Sequence, residues 1–143
     1  MDGLVEHRRP SLDQSLELVA AVRAEAETRS VALAICVVDD AGHVIASARM
    51  DGAALGAMPL AVGKAYTAVL WGTATGYFMQ STQPGGDDWG FNATDPRVVV
   101  YGGGVPLFVE GDLVAGLGAS GGTAAQDEEC VTAAARALGF ATD

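Results

Sequence analysis

The stretch from residue 31 to residue 50 reads VALAICVVDDAGHVIASARM, and it decides the fold. Val31–Val38 is a short, mostly apolar and β-branched run, as expected for a buried strand. The segment Asp39-Asp40-Ala41-Gly42 is typical of a tight turn, because aspartate favours the first turn positions and glycine the left-handed one. His43–Met50 then predicts a second strand that returns beside the first. This hairpin favours an antiparallel sheet over a parallel, Rossmann-type one.

Helical periodicity is found on both sides of this hairpin. Ser11 and Gln14 form a capping-box pattern, and the apolar period that follows predicts a first helix over about residues 12–28. A second helix is predicted over about residues 58–75, where a proline in the first turn is acceptable. The hairpin is therefore expected to lie between two helices.

The C-terminal half predicts three further strands and a last helix. Met79–Arg97 has no clear period and is predicted to be a long loop, either a lid or an interface. Val98–Tyr101 predicts a short strand, and Val105–Val109 and Leu113–Ala119 predict a second hairpin. A capping-box pattern then predicts a helix that ends near residue 138.

These elements follow the order α-β-β-α-β-β-β-α. The predicted fold class is α+β, a profilin-like two-layer sandwich in which about five mainly antiparallel strands are covered by helices. A chain of 143 residues is expected to form a single domain over residues 1–143, with a flexible N-terminal segment over residues 1–11.

The amino-acid composition excludes some classes of binding partner and indicates the cellular compartment. Eighteen Asp and Glu residues against eight Lys and Arg residues give a formal net charge of −10. This balance argues against nucleic acid and against an anionic membrane surface as partners. The sequence has no apolar run of membrane-spanning length and no signal-peptide pattern at its start, so we expect a cytoplasmic protein. Cys36 and Cys130 are predicted to be buried and reduced, with a disulfide or a catalytic thiol as the alternatives.

Six short segments together resemble the GlcG/HbpS family. They appear in the family's order and cover about residues 12–138. The segments are Val37–Gly42 (VVDDAG), Ala48–Ala53 (ARMDGA), Gly63–Ala68 (GKAYTA), Gly103–Leu107 (GGVPL), Gly118–Gly122 (GASGG) and Gln126–Glu128 (QDE). Any one of them alone would be a weak signal, but six in register are specific.

The resemblance implies a five-stranded antiparallel sheet and a homo-oligomer. The family includes secreted haem-binding proteins and the C-terminal domain of PduO-type corrinoid adenosyltransferases, so it also implies a small-molecule ligand, haem or a related tetrapyrrole. His7 and His43 are the only histidines, which makes them the candidate axial ligands and excludes a multi-histidine metal site. The first helix has no histidine, although a haem-binding relative is expected to supply one there.

The alternative function is enzymatic and rests on three polar residues. Lys64 is the only lysine in the chain. Arg49 and Asp51 lie two residues apart at the end of a predicted strand, so both are expected on one side of the sheet rim. Arg49 could hold a carboxylate, while Lys64 and Asp51 move protons. Such an enzyme would be a cofactor-independent isomerase, lyase or hydrolase acting on a carboxylate- or carbonyl-bearing metabolite; a purely structural role for the three residues is the other interpretation.

Glycine-rich turns and an acidic helix start complete the candidate site. The turns could bind substrate through backbone N–H groups, and tight packing is the alternative explanation for them. Asp127 and Glu128 open the last helix, where either could act as a general base, with Glu128 the candidate catalytic residue, or both could only complement the helix dipole. The candidate substrate-binding residues in the turns are Gly103, Gly104, Ser120 and Gly121.

Aromatic and sulfur-containing side chains cluster in and before the long loop. They could line a pocket for a flat apolar ligand or form an interface between protomers. These residues are Tyr77, Phe78, Met79, Trp89 and Phe91.

Overall fold

The computed structural model describes residues 2–143, which form an α+β fold with one helix-covered antiparallel sheet, as predicted. Two short 3₁₀ turns, Thr75–Tyr77 and Phe91–Ala93, lie between the second helix and the third strand. The regular elements are α1 (Leu12–Thr28), β1 (Ala34–Asp39), β2 (Val44–Arg49), α2 (Ala57–Trp71), α3 (Phe78–Ser81), β3 (Gly104–Val109), β4 (Asp112–Ser120) and α4 (Ala124–Ala137).

The sheet has the strand order β2-β1-β4-β3, and each neighbouring pair is antiparallel. Both predicted hairpins are present, β1–β2 and β3–β4. Strand β1 lies inside the sheet and all of its residues are buried, which explains its continuous apolar run. In this register Ala34 lies opposite Arg49 on one side and Ser120 on the other.

The sheet has four strands, so the prediction of a fifth strand at Val98–Tyr101 is wrong. This segment packs along α2 instead of pairing with a strand. The Val98 N–H donates to the Asp95 carbonyl in a turn, and the Val99 N–H donates to Thr67 Oγ1 at 3.0 Å. A side chain of α2 thus accepts the hydrogen bond that a neighbouring strand would otherwise accept. The β-branched composition of the segment does not reveal this difference.

Two apolar cores lie on opposite faces of the sheet. The large-residue core, beneath α1 and α4, is built mainly from long aliphatic side chains. The small-residue core lies beneath α2. The large-residue core includes Leu18, Val22, Leu33, Ile35, Leu107, Leu117, Cys130, Val131 and Phe140. The small-residue core consists of Ala34, Cys36, Val38, Ala57, Ala61, Ala65 and Val69.

Helix α2 approaches the sheet closely because β4 presents glycines to it. A Cβ atom at Gly116 would lie 2.2 Å from the Ala65 carbonyl oxygen, and one at Gly118 would lie 2.2 Å from the Ala61 carbonyl oxygen. The helix backbone therefore rests almost directly on the strand. This contact fixes the position of Lys64, which lies between Ala61 and Ala65 on the same helix.

The N-terminal segment runs along the turns at one end of the sheet. His7 Nδ1 lies 2.6 Å from Asp40 Oδ2 in the β1–β2 turn. Arg8 Nη1 lies 3.0 Å from Glu110 Oε2 and 3.2 Å from Asp112 Oδ2, beside the β3–β4 turn.

Across residues 2–143, none of the helices combines the length and the apolar character that crossing a membrane requires.

Candidate functional site

Lys64 and Asp127 form a buried ion pair at the end of the sheet. Lys64 Nζ lies 2.9 Å from Asp127 Oδ2 and donates a second hydrogen bond to the Ala119 carbonyl oxygen at 3.0 Å. The two side chains are only 3% and 2% exposed. Because α2 and α4 cover opposite faces of the sheet, this pair connects the two helical layers of the protein.

Local sequence signals explain why Asp127 faces Lys64. Thr123 caps α4, and its side chain and that of Gln126 form the predicted capping box. This places Asp127 in the first turns of the helix, where Asp127 Oδ1 accepts a hydrogen bond from the Gly122 N–H at 2.9 Å. Both carboxylate oxygens of Asp127 are therefore bonded.

The glycines of residues 103 and 104 provide space for Lys64. Gly103 has a φ of +125°, and a Cβ atom there would lie 2.9 Å from Lys64 Nζ and 2.6 Å from the Ala119 carbonyl oxygen. A Cβ atom at Gly104 would lie 2.4 Å from the Lys64 carbonyl oxygen. The Gly104 N–H already donates to Thr75 Oγ1 at 2.9 Å, so it is not available to a ligand.

A small cleft of about 220 Å³ opens above the ion pair, and we call it the Lys64 cleft. It brings together two of the predicted site residues, Lys64 and Ser120, with Asp127. Gly121, also predicted, precedes Gly122 in the same turn but does not line the cleft. The lining residues are Leu60, Lys64, Tyr101, Ser120, Gly122, Ala124 and Asp127.

Arg49 and Asp51 lie elsewhere. They line a cavity of about 380 Å³ between α1 and the edge strand β2, whose walls also include Arg23 and Glu27 but not Lys64. The structure therefore does not join Arg49, Asp51 and Lys64 into the one constellation that their order along the chain indicated. The functional roles assigned to Arg49 and Asp51 stay predictions.

Glu128 is separate from the Lys64 cleft as well. Its side chain is half-buried and packs against the backbone of Gly76, where an added Cβ atom would lie 2.8 Å from Glu128 Oε1. Asp127, and not Glu128, is the acidic residue of α4 that lines the cleft. A role of Glu128 as general base stays a prediction.

A larger, mostly apolar depression crosses α2, and we call it the α2 groove. Its volume is about 530 Å³. Pro96, Arg97 and Val99 form one wall. The complete lining is Gly42, Met58, Pro59, Leu60, Val62, Gly63, Tyr66, Pro96, Arg97 and Val99.

Three residues form a polar cluster beside the α2 groove. The Tyr66 hydroxyl donates to Asp95 Oδ2 at 2.6 Å, and the Arg97 guanidinium lies 4.3 Å from the centre of the Tyr66 ring. Hydrogen bonds from Arg97 and then from Tyr66 lower the pKa of Asp95 to about 2. Burial, followed by the hydrogen bond to Asp95, raises the pKa of Tyr66.

Part of the predicted aromatic cluster packs upon itself, while Tyr77 and Trp89 are mostly exposed. Phe78 and Phe91 stack with ring centres 4.9 Å apart, and Trp71 meets Phe91 edge-on at 5.1 Å. Met79 and Trp89 line a separate cavity of about 250 Å³ with Tyr101. The long segment thus has its own small aromatic core and one adjoining cavity.

The two histidines lie at the same end of the sheet. His7 is paired with Asp40. His43 is exposed and directly follows Gly42, a lining residue of the α2 groove. Across residues 2–143, no group of three or more His, Cys, Asp or Glu side chains is placed to hold a metal ion.

The functional residues Tyr66, Asp95 and Arg97 were not predicted from the sequence, and neither was the pairing of Asp127 with Lys64. One signal was available for the pair. A lone lysine within the apolar run of α2 is expected to be buried, and a buried ammonium needs a carboxylate or carbonyl partner. No comparable signal marks the Tyr66 cluster, because its members come from two distant segments.

Comparison with known proteins identifies the family. The family model described as haem-degrading protein HbpS-like matches residues 11–136. The chain therefore belongs to the HbpS-like family, in agreement with the resemblance found in its six sequence segments.

Two relatives and one solved structure illustrate the family. An uncharacterised 15.0 kDa protein of Citrobacter freundii is 33% identical over 118 residues, which cover 82% of this chain and 83% of that protein. The corrinoid adenosyltransferase PduO of the same organism is 36% identical over 140 residues, 94% of this chain but only 42% of PduO. The crystal structure of a PduOC–haem complex has a TM-score of 0.89 at 33% identity, covering 94% of this chain and 98% of that one.

Proposed function

We propose that this protein binds haem or a related tetrapyrrole in the α2 groove. The observation that carries the proposal is the groove itself, an apolar depression of about 530 Å³ with one guanidinium in its wall. The family description and the structural similarity to a PduOC–haem complex support the same ligand class.

The groove has the chemistry that a tetrapyrrole needs. Its volume lies within the roughly 300–1,000 Å³ typical of pockets for small organic molecules. Met58, Leu60, Val62 and Val99 offer apolar side chains to a flat ring. Arg97 already donates from Nε and Nη2 to Asp95, at 3.1 and 3.2 Å, and its remaining N–H groups can pair with a propionate carboxylate. The residues present therefore fit the group.

We infer that His43 would bind the iron of a bound haem. It directly follows Gly42 at the groove, and it is exposed and free of any ion pair among residues 2–143. His7 is instead engaged by Asp40. Tyr66 is a weaker candidate, since burial raises its pKa and thereby disfavours the phenolate that binds iron. Bound haem would supply redox and ligand-binding chemistry at its iron, while the chain holds the ring and its carboxylates.

We also propose that the protein is a homo-oligomer. Large apolar side chains at the exposed positions Leu55, Trp71, Tyr77 and Trp89 support self-association, because aromatic residues are enriched at protein interfaces. Light scattering of the purified protein tests this. A particle of monomer mass at all concentrations would contradict it.

Haemin titration followed by Soret absorbance tests the main proposal. We expect a saturable spectral change at one haemin per protomer. His43→Ala should shift or abolish the Soret band of the complex, whereas His7→Ala, the matched control, should leave it unchanged. Arg97→Ala should weaken binding about tenfold, the effect of one lost charge-assisted hydrogen bond.

Two outcomes would contradict the proposal at different points. A non-saturating titration would show that haem does not bind specifically. Saturable binding that depends on His7 and not on His43 would retain the function but reject the assigned ligand. Circular dichroism of each variant verifies that the fold is intact.

A further inference from the structure

The Lys64 cleft contains hydrogen-bond donors that the tetrapyrrole proposal leaves unused. An ammonium group has three protons. Lys64 Nζ directs two hydrogen bonds to Ala119 O and Asp127 Oδ2, and within residues 2–143 there is no acceptor for a third. Since Lys64 lines the cleft, this remaining proton is available to a ligand there.

Ser120 provides a second, independent donor at the same place. The residue is only 5% exposed and lines the cleft. Its hydroxyl makes no hydrogen bond to any group that the structure describes. Because Ser120 lines the cleft, this hydroxyl is free to donate to a ligand there. It lies beside Ala119, whose carbonyl oxygen holds Lys64.

A structural role alone does not account for this arrangement. Connecting α2 to α4 explains the ion pair, but apolar residues of similar volume often stabilise a protein as well as a buried ion pair does. Such a connection requires neither an adjoining cleft nor an unpartnered hydroxyl. Gly103 packs closely against the ion pair, since a Cβ atom there would lie 2.9 Å from Lys64 Nζ and 2.8 Å from Asp127 Cβ.

The size and polarity of the cleft define the ligand class. Its volume of about 220 Å³ is far below that of the α2 groove and too small for a tetrapyrrole. The two free donors call for a group with two acceptor oxygens. The charge of Asp127 is already balanced by Lys64 and the Gly122 N–H. The N-terminal turn of α4, where Ala124 lines the cleft, further favours a negative ligand.

We propose that the Lys64 cleft is a second binding site, which takes the carboxylate of a short-chain organic acid. One carboxylate oxygen accepts a hydrogen bond from the Lys64 ammonium, and the other accepts a hydrogen bond from the Ser120 hydroxyl. This site is separate from the α2 groove and does not rest on haem binding; Leu60 is the one residue that lines both.

Calorimetric titration of the full chain with pyruvate tests the proposal, with acetone as the neutral carbonyl control. We expect pyruvate to bind saturably and acetone not to bind. Ser120→Ala should weaken pyruvate binding about tenfold, as expected for a lost hydrogen bond to a charged group. Ser47→Ala, on the exposed strand β2, is the matched control and should have no effect. Ala124→Leu should block the cleft and abolish binding.

Ser120→Ala and Ala124→Leu leave the ion pair between Lys64 and Asp127 unchanged, so both variants are expected to fold. Circular dichroism verifies this. The proposal is overturned if pyruvate does not bind, if acetone binds equally well, or if Ser120→Ala and Ala124→Leu bind pyruvate like the unaltered protein. Arg97→Ala should weaken haemin binding and leave pyruvate binding intact, which separates this proposal from the first.

Discussion

The two faces of the sheet differ in the size of the side chains that cover them. Beneath α1 and α4 the sheet presents leucine, isoleucine and valine, whereas beneath α2 it presents alanine and the bare backbone of Gly116 and Gly118. The large-residue core buries more apolar surface and is expected to supply more of the stability. The small-residue core brings a helix close to the sheet, and both proposed binding sites lie along that helix.

Removing one partner of the ion pair that joins the two layers should have the largest effect on stability. Asp127→Ala leaves the Lys64 ammonium buried without its carboxylate, so we expect a loss of about 4 kcal/mol in the free energy of unfolding, measured in urea. Glu129→Ala, which alters an exposed ion pair on the same helix, is the control and should cost less than about 1 kcal/mol. A small loss in Asp127→Ala would show that the pair does not join the layers energetically.

Leu117→Ala tests the large-residue core. Leu117 is fully buried, and its truncation leaves a cavity, so we expect a loss of about 3 kcal/mol. Leu16→Ala removes the same atoms from an exposed position of α1 and should change stability little. Similar losses for the two variants, compared by urea unfolding, would be evidence against this core as the main source of stability.

Gly118→Ala tests the opposite face at the next residue of the same strand. The added methyl group meets the Ala61 carbonyl oxygen and must displace α2, so we expect a loss of about 2 kcal/mol and weaker haemin binding in the α2 groove. Gly56→Ala is the control, because an added Cβ atom there meets nothing within 4 Å. If Gly118→Ala unfolds at the same urea concentration as the unaltered protein, the close contact between α2 and β4 does not contribute to stability.

The smallest expected effect is a pH dependence at the wall of the α2 groove. The pKa of Asp95 is lowered from 3.8 to about 2 in the folded protein, so its carboxylate contributes stability that is complete above pH 4 or so and is lost as the pH falls to about 2. Asp95→Asn should therefore be slightly less stable than the unaltered protein at neutral pH and equal to it near pH 2. Urea unfolding across this range measures the difference, with Asp87→Asn in the same exposed segment as control. If the difference in stability between Asp95→Asn and the unaltered protein does not change with pH, the pKa of Asp95 is not lowered in the folded protein.

Local signals made much of the fold predictable. The cap residue Ser11 and the apolar period after it gave the bounds of α1, and the aspartate-glycine turn located the first hairpin. The prediction of a strand at Val98–Tyr101 was wrong because this segment bonds to the side chain of Thr67, which lies far away in the sequence. Short β-branched runs do not reveal whether a strand or a helix will lie beside them.

The candidate site was predictable only in part. Lys64 was recognised because it is the only lysine in an acidic chain, and the glycine-rich turns because exposed backbone N–H groups can bind an anion. Asp127 was not identified as the partner of Lys64, since 63 residues separate the two and only the tertiary fold brings them together. Arg49 ends a strand and Lys64 lies on the next helix, which predicted a shared site, but Arg49 lines a different cavity beside the edge strand β2.

The two cysteines give each core its own thiol. Cys36 belongs to the small-residue core and Cys130 to the large-residue core. Burial raises the pKa of both thiols, that of Cys36 to about 12, so neither forms the reactive thiolate while its core is closed. Alkylation of either thiol therefore requires a local opening of the surrounding structure. The alkylation rate at each cysteine reports the free energy of that opening. The unaltered chain thus contains two probes of local opening. Alkylation of Cys36 reports the motion of α2 away from the sheet, and alkylation of Cys130 reports the motion of α1 and α4.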